Sequence, residues 1–243
     1  MMDNATMNQA NHDPDEIAKF DALASRWWDP HGEFKPLHLM NPLRVQYIDQ
    51  HAGLAGKHCL DIGCGGGILS EGMAATAATV TGIDMAGAVL AVARLHLHEA
   101  GLNNIDYQEQ SAGDLAMEKP GAFDVVTCLE VLEHVPDPTR LINACAQLVR
   151  PGGDIIFSTI NRNPKAFALA IFGAEYLMHL LPKGTHEYAR FIQPAELDAW
   201  GRHAGLELRD ITGLHYSPLS ETFRLGGNAD VNYLAHFVRP ATI

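Results

Sequence analysis

The chain has 243 residues, 47% of them apolar, a formal net charge of −12 and four cysteines. That is enough apolar material for one large core, and the acidic balance argues against nucleic acid as a partner, since its phosphates need a positive surface. Cys59, Cys64, Cys128 and Cys145 form no C-x-x-C pair, no 18 apolar residues run uninterrupted, and no signal or transit peptide is visible. A reducing, cytoplasmic setting without a membrane span is therefore expected. Residues 1–14 are polar and read as a disordered tail ahead of one domain over 15–243. Helical spacing follows over 15–28, with Ile17, Phe20, Leu23, Ala24 and Trp27 on one face. Strands are expected at 58–62, 79–83, 104–109, 123–129 and 153–160, and helices at 67–77, 86–100, 138–149 and 194–204. Two later β-like runs, 206–212 and 231–238, read as a closing hairpin. The alternation predicts an α/β fold: a Rossmann-like, doubly wound, mostly parallel seven-stranded sheet with a C-terminal hairpin and an N-terminal helical extension. Ligands of such sheets sit beyond the carboxyl ends of the strands.

Strand one ends in Asp61-Ile62-Gly63-Cys64-Gly65-Gly66-Gly67, which runs straight into a helix. Glycine reaches φ > 0 and lets a ligand approach without meeting a Cβ. A strand, a glycine turn and a helix N-terminus together make a nucleotide-sized site. Gly63 and Gly65 fit the first two glycines of a dinucleotide G-x-G-x-x-G, but the third position is Ile68. With Asp61 ahead of it the loop reads D-x-G-x-G-x-G, which resembles the first motif of the class I S-adenosylmethionine-dependent methyltransferases. Asp61, Gly63 and Gly65 are then candidates for donor contact. A glycine turn without a ligand and a nucleotide-linked oxidoreductase are the alternatives. Strand two ends in Asp84, about twenty residues beyond the loop, where an acid accepts from two ribose hydroxyls. An N-cap for the following helix is the plainer reading of Asp84.

Strand four ends at Leu129, and Glu130, Glu133 and His134 follow at once. Their i, i+3, i+4 spacing predicts one face of a helical turn that Pro136 limits. Such a set can hold a divalent ion, magnesium sooner than zinc, or act as acid and base. The bland alternative is a solvated first turn. If the methyl acceptor is a phenol, with a pKa of about 10, roughly one molecule in a thousand is phenolate at neutral pH. His134 is the best base candidate, and a positioned base contributes about 10² to 10⁴ in rate. Ahead of the sheet, Trp27 and Trp28 read as core anchors or as walls of an aromatic site. Arg44 reads as a fork for the methionine carboxylate or as a surface arginine. Residues 163–186 hold an apolar insertion with Phe167, Ile171 and Phe172, flanked by Arg162, Lys165 and Lys183. It is either a buried helix or lid, or a helix at a membrane interface.

Taken together, ASRWWD at 24–29, GEFKPLH at 32–38, NPLR at 41–44, LDIGCGGG at 60–67, VTGIDM at 80–85, DVVTCLEVLEHVPDP at 124–138, RPGGDIIFSTINRN at 150–163, PKGTHEY at 182–188 and TGLHYSP at 212–218 resemble the bacterial ubiquinone-biosynthesis O-methyltransferases over about residues 15–238. The resemblance implies methylation of two polyprenyl catechols, 2-polyprenyl-6-hydroxyphenol and 3-demethylubiquinol, with S-adenosylmethionine as donor. Another small aromatic acceptor is the alternative. It implies donor contacts at Arg44, Gly63, Asp84 and Leu129, and a magnesium site at Glu130, Glu133 and His134. It also implies lipid contact through 163–186 at the inner face of the membrane, and other proteins of the pathway as partners.

Overall fold

The computed structural model describes residues 11–164, 166, 188–217 and 219–241. Strands β1 (His58–Ile62), β2 (Thr79–Asp84), β3 (Ile105–Glu109), β4 (Phe123–Leu129) and β5 (Val149–Ile160) lie parallel. Strands β6 (Glu207–Ser217), β7 (Thr222–Leu225) and β8 (Asn232–Val238) complete an eight-stranded sheet in the order β3-β2-β1-β4-β5-β8-β6-β7. The sheet has eight strands where seven are expected, and β7 is the addition. The two runs expected to form a hairpin do pair antiparallel, as β6 with β8, but β8 threads between β5 and β6. The strand order reverses between β1 and β4, so a ligand crevice opens beyond Ile62 and Leu129.

Among the described residues the helices are α1 (Pro14–Leu23), α2 (Lys35–Ala52), α3 (Ile68–Ala74), α4 (Gly87–Glu99), α5 (Ala112–Glu118), α6 (Pro138–Leu148) and α7 (Pro194–His203). Asp13 caps α1 by accepting from the Asp15 backbone, so the helix begins inside the stretch expected to be tail. The helix expected over 15–28 ends early, in a 3-10 turn at Ala24–Arg26. Residues 1–10 and most of the apolar insertion lie outside the described residues.

Period-two alternation assigns each strand residue to one of two cores. Leu60, Val126, Cys128, Ile155 and Phe157 pack with α5, α6 and α7. Cys59, Val125, Leu129 and Ile156 face α2 and α3. A parallel sheet covered on both faces needs this double burial. All four cysteines are buried and unpaired, and no helix among the described residues is long and apolar enough to cross a membrane. Phe157 is fully buried and meets Phe237 edge-on at 5.7 Å between ring centroids. Phe157→Ala should therefore lower unfolding free energy by about 3–5 kcal/mol, read as a shift in the urea midpoint at constant slope.

Candidate active site

The glycine loop turns at Gly63, Gly65 and Gly67, all with positive φ. Its nearest neighbour is part of the chain itself. A Cβ on Gly65 or Gly66 would overlap the indole of Trp27. Trp27 is buried and stacks on Phe34 with centroids 4.0 Å apart. Beside it, the Trp28 indole donates to the Gly66 carbonyl at 2.8 Å and lies flat on His96, whose Nδ1 is 2.8 Å from Glu71. The tryptophans are therefore core anchors that clamp the loop, and part of the glycine requirement comes from this packing.

Asp61 lies beneath the loop, fully enclosed. Its Oδ2 accepts from the Ser70 hydroxyl at 2.7 Å and its Oδ1 from the Thr127 hydroxyl at 2.9 Å, tying β1 to α3 and β4. Asp84 at the end of β2 accepts from the Gly65 N–H and the Ala86 N–H, both at 2.9 Å. It joins the loop to Ala86, the residue at the N-terminus of α4; that helix has no side-chain cap, so the plainer expectation of Asp84 as its N-cap does not hold. Burial raises the Asp84 pKa. Leu129 is buried with Leu69, Ile156 and Leu234.

Past Leu129 the backbone of Glu130 takes φ 56°, outside the right-handed helical region. The 3-10 turn starts only at Leu132 and ends at His134, with Val135 extended before Pro136 as proline requires. The shared face expected from i, i+3, i+4 spacing therefore does not form, because Glu130 is not part of the turn. Its carboxylate accepts from Arg44 Nη2 at 3.0 Å and Ser158 Oγ at 2.6 Å, and from Asn232 Nδ2 at 3.2 Å. Glu133 is buried and accepts from the Thr159 hydroxyl at 2.9 Å. Burial, then the charge of Glu130, push its pKa up to about 7. The Nδ1 of His134 lies 2.8 Å from Glu16 Oε2 on α1. Burial opposes the imidazolium, but the Glu16 hydrogen bond and the charges of Glu133, Glu16 and Glu130 outweigh it, and the His134 pKa is raised. Glu16 is correspondingly lowered to about 2, chiefly by its hydrogen bond with His134.

Each of the three expected metal ligands thus has its own protein partner. Among the described residues no group of three or more His, Cys, Asp or Glu side chains is placed to hold a metal ion. As arranged, the three do not fit a resident magnesium. The site is instead short of partners elsewhere: among the described residues Arg44 Nε and Asn232 Oδ1 are buried without a hydrogen bond. A bound ligand can meet such demands.

A methyltransferase-domain family matches residues 11–211. The chain is 61% identical over 230 residues to the ubiquinone biosynthesis O-methyltransferase of Stutzerimonas stutzeri, covering 95% of this chain and 99% of that one. It is 57% identical to the protein of that name from Acinetobacter baylyi, covering 96% of this chain and 98% of that one. The chain belongs to the ubiquinone biosynthesis O-methyltransferases. It has the fold of S-adenosylmethionine-dependent methyltransferases. The magnesium protoporphyrin IX methyltransferase of Synechocystis with bound SAH superposes at a TM-score of 0.66 and 20% identity, covering 92% of this chain and 99% of that one. The [4+2]-cyclase SpnF superposes at 0.61 with 19% identity, covering 83% of this chain and 81% of that one. These likenesses establish the fold and leave the acceptor chemistry to the side chains.

The sequence singled out Glu130, Glu133 and His134 together, and the structure separates them. It also adds Ser158, Thr159 and Asn232, which come from the ends of β5 and β8. Glu16 could have been found from its helical spacing with Phe20, but nothing local says what that helix covers.

Burial raises the Asp61 pKa to about 6, above the ordinary value of about 3.9. The folded state then binds a proton that the unfolded state has lost between about pH 4 and 6, so this group's contribution to stability falls as pH rises through that window. Relative to Asp61→Asn, the wild type should lose on the order of 2–3 kcal/mol between pH 4 and 7. Urea unfolding of both proteins at the two pH values measures it.

Proposed function

We propose that this chain transfers the methyl group of S-adenosylmethionine to a phenolic oxygen of polyprenyl catechols, 2-polyprenyl-6-hydroxyphenol and 3-demethylubiquinol, on the way to ubiquinone. The observation that carries the reading is the extent of the kinship: 61% identity across 95% of the chain spans the acceptor side as well as the donor side.

On the donor side, Gly63 and Gly65 bring backbone close to the methionine moiety. Arg44, with its buried and unpartnered Nε, receives the methionine carboxylate. Asp84 accepts from the ribose hydroxyls with the lone pairs not used by Gly65 and Ala86, and Leu129 provides an apolar contact. Asp61 supports these residues from below. On the acceptor side, His134 takes the phenol proton. The phenolate oxygen then attacks the methyl carbon in line, the C–S bond breaks, and its electron pair returns to sulfur. A sulfonium and a phenolate become a thioether and an ether, so charge disappears as the bond forms. The protein's work is alignment and deprotonation. A magnesium ion would have to draw Glu130 and Glu133 from Ser158 and Thr159. The insertion at 163–186 places the substrate's tail at a membrane surface, where each buried CH₂ contributes about 0.8 kcal/mol.

Transfer of labelled methyl to a short-chain 2-prenyl-6-hydroxyphenol, with and without magnesium, tests the reading. Calorimetry that found tight NADH binding and no S-adenosylmethionine binding would sink it. Asp84→Ala is expected to weaken donor binding about 10- to 100-fold while leaving the protein folded. Unchanged donor affinity would remove the ribose role. Replacing Phe167, Ile171 and Phe172 with polar residues should reduce liposome co-sedimentation more than donor affinity. Undiminished co-sedimentation would make the segment a lid or core element.

A further inference from the structure

The glycine loop is held by the sheet on one side and by the N-terminal segment on the other. Gly63 and Cys64 both donate their backbone N–H to the Ile83 carbonyl, at 2.8 and 3.1 Å, and Gly65 donates to Asp84 at 2.9 Å. Gly67 donates back to the Cys64 carbonyl at 3.0 Å, and the Gly66 carbonyl accepts from the Trp28 indole at 2.8 Å. The peptide between Gly66 and Gly67 is thus fixed at both polar edges, one by the loop's own turn and one by a side chain 38 residues earlier. A peptide between two glycines needs such a hold. Neither residue has a Cβ to restrict it and Gly67 stands at φ 90°, so the plane can turn over at little steric cost. Without the indole, one hydrogen bond of the loop's own turn would be left to set it.

Trp28 is itself held from three helices. Its indole lies flat on the imidazole of His96 on α4, 2° from parallel with centroids 3.4 Å apart, and the His38 ring on α2 meets it edge-on at 5.6 Å. A flat stack fixes the plane of the indole and with it the direction of its N–H. The imidazole is fixed in turn: Nδ1 is 2.8 Å from one carboxylate oxygen of Glu71 on α3 and 3.0 Å from the other. The Glu71 side chain is only 10% exposed, and its backbone N–H donates to the Gly67 carbonyl at 2.9 Å. The contacts therefore close on themselves, from Gly66 through Trp28, His96 and Glu71 back to Gly67. Core filling alone would be served by any large apolar ring at position 28. An N–H aimed at a glycine carbonyl of the loop is what filling does not require.

We infer that Trp28 is a positioning residue for the donor: through its hydrogen bond to the Gly66 carbonyl it sets the Gly66–Gly67 peptide in the orientation that S-adenosylmethionine binds, with Glu71 and His96 holding the indole in place. The inference rests on the reading of this loop as the donor site. Trp28 acts on affinity and not on the transfer itself. A loop that samples other peptide orientations binds in proportion to the fraction in the competent one. Once the donor is bound, the acceptor meets the same methyl group.

The test is calorimetric titration with S-adenosylmethionine, beside steady-state kinetics on a short-chain 2-prenyl-6-hydroxyphenol, for the wild type, Trp28→Phe, His96→Ala and the double variant. Phenylalanine keeps an aromatic ring against His96 and lacks the N–H. Trp28→Phe is expected to weaken donor binding about 5- to 50-fold, with kcat at saturating donor within about twofold of wild type. His96→Ala loosens the indole but keeps its N–H, and should weaken binding by about 2- to 5-fold. The double variant should match Trp28→Phe, since His96 acts through that indole. Amide hydrogen exchange over residues 63–69 of the donor-free protein should quicken in Trp28→Phe, a local effect that a residue filling the core would not single out. Four results would overturn the inference: a loss of donor affinity in Trp28→Phe smaller than about fivefold, a loss of kcat exceeding the loss of affinity, a double variant weakened about fivefold or more beyond Trp28→Phe, or unchanged exchange in the loop. Absence of S-adenosylmethionine binding by the wild type would instead remove the reading of the donor site, and this inference with it. Thermal midpoints of the donor-free variants identify protein that has not folded. Should Trp28→Phe fail to fold, His96→Ala carries the test, and wild-type donor affinity there would overturn the inference.

Discussion

The carboxylate of Glu130 holds the two halves of the site together. It accepts from Arg44 on α2, Ser158 on β5 and Asn232 on β8, so three elements far apart in sequence meet on one side chain. The residue that carries it has φ 56°, a conformation that costs a non-glycine residue on the order of 1–3 kcal/mol. Hydrogen bonds to a charged group contribute about 1.5–3 kcal/mol each, so the three donors more than offset that strain. The geometry has a second effect. Turning the chain left-handed straight after Leu129 sends Glu130 toward Arg44 and lets the following turn carry Glu133 and His134 elsewhere. One backbone angle thus divides what the spacing suggested was a single cluster.

That division distributes charge as well as direction. Glu130 sits against an arginine, Glu133 is buried with one hydroxyl donor and is raised to about 7, and His134 pairs with Glu16, itself lowered to about 2. Acids placed close together cannot all ionise freely when water is excluded. The three groups thus have three different environments, and only the histidine has a carboxylate partner that favours its charged form and orients its ring.

The frame of this arrangement was legible in the chain. Strands β1 to β4 fall within a residue of their expected bounds, because apolar runs ended by glycine, aspartate or glutamate are strong signals. The rule that ligands collect after strand ends pointed to Gly63, Asp84 and Glu130. Helix α2 was not visible, since Pro36 and Pro42 both argue against a helix there. In the fold Pro36 occupies the first turn, where its missing N–H is harmless, and Pro42 is tolerated inside. Helix α5 is only seven residues long and its one clear signal is the Ser111 cap. The partners of the site were least visible of all. Glu16 meets His134 across 118 residues and Asn232 meets Glu130 across 102, and no local pattern encodes contacts at that range.

The glycine loop shows why local and distant information must be read together. Its glycines looked like room made for a ligand, and the open φ values agree. Yet Trp27 lies against two of them and Val131 against Gly63. The loop is therefore shaped from one side by an indole of the N-terminal segment and from the other by the turn that carries His134. Whatever fixes that segment in place fixes the glycine loop and the histidine at once. An in-line transfer needs this coupling: the methyl carbon and the acceptor oxygen must meet within a few tenths of an ångström, and a single packed segment touching both sides constrains their separation better than two independent elements could.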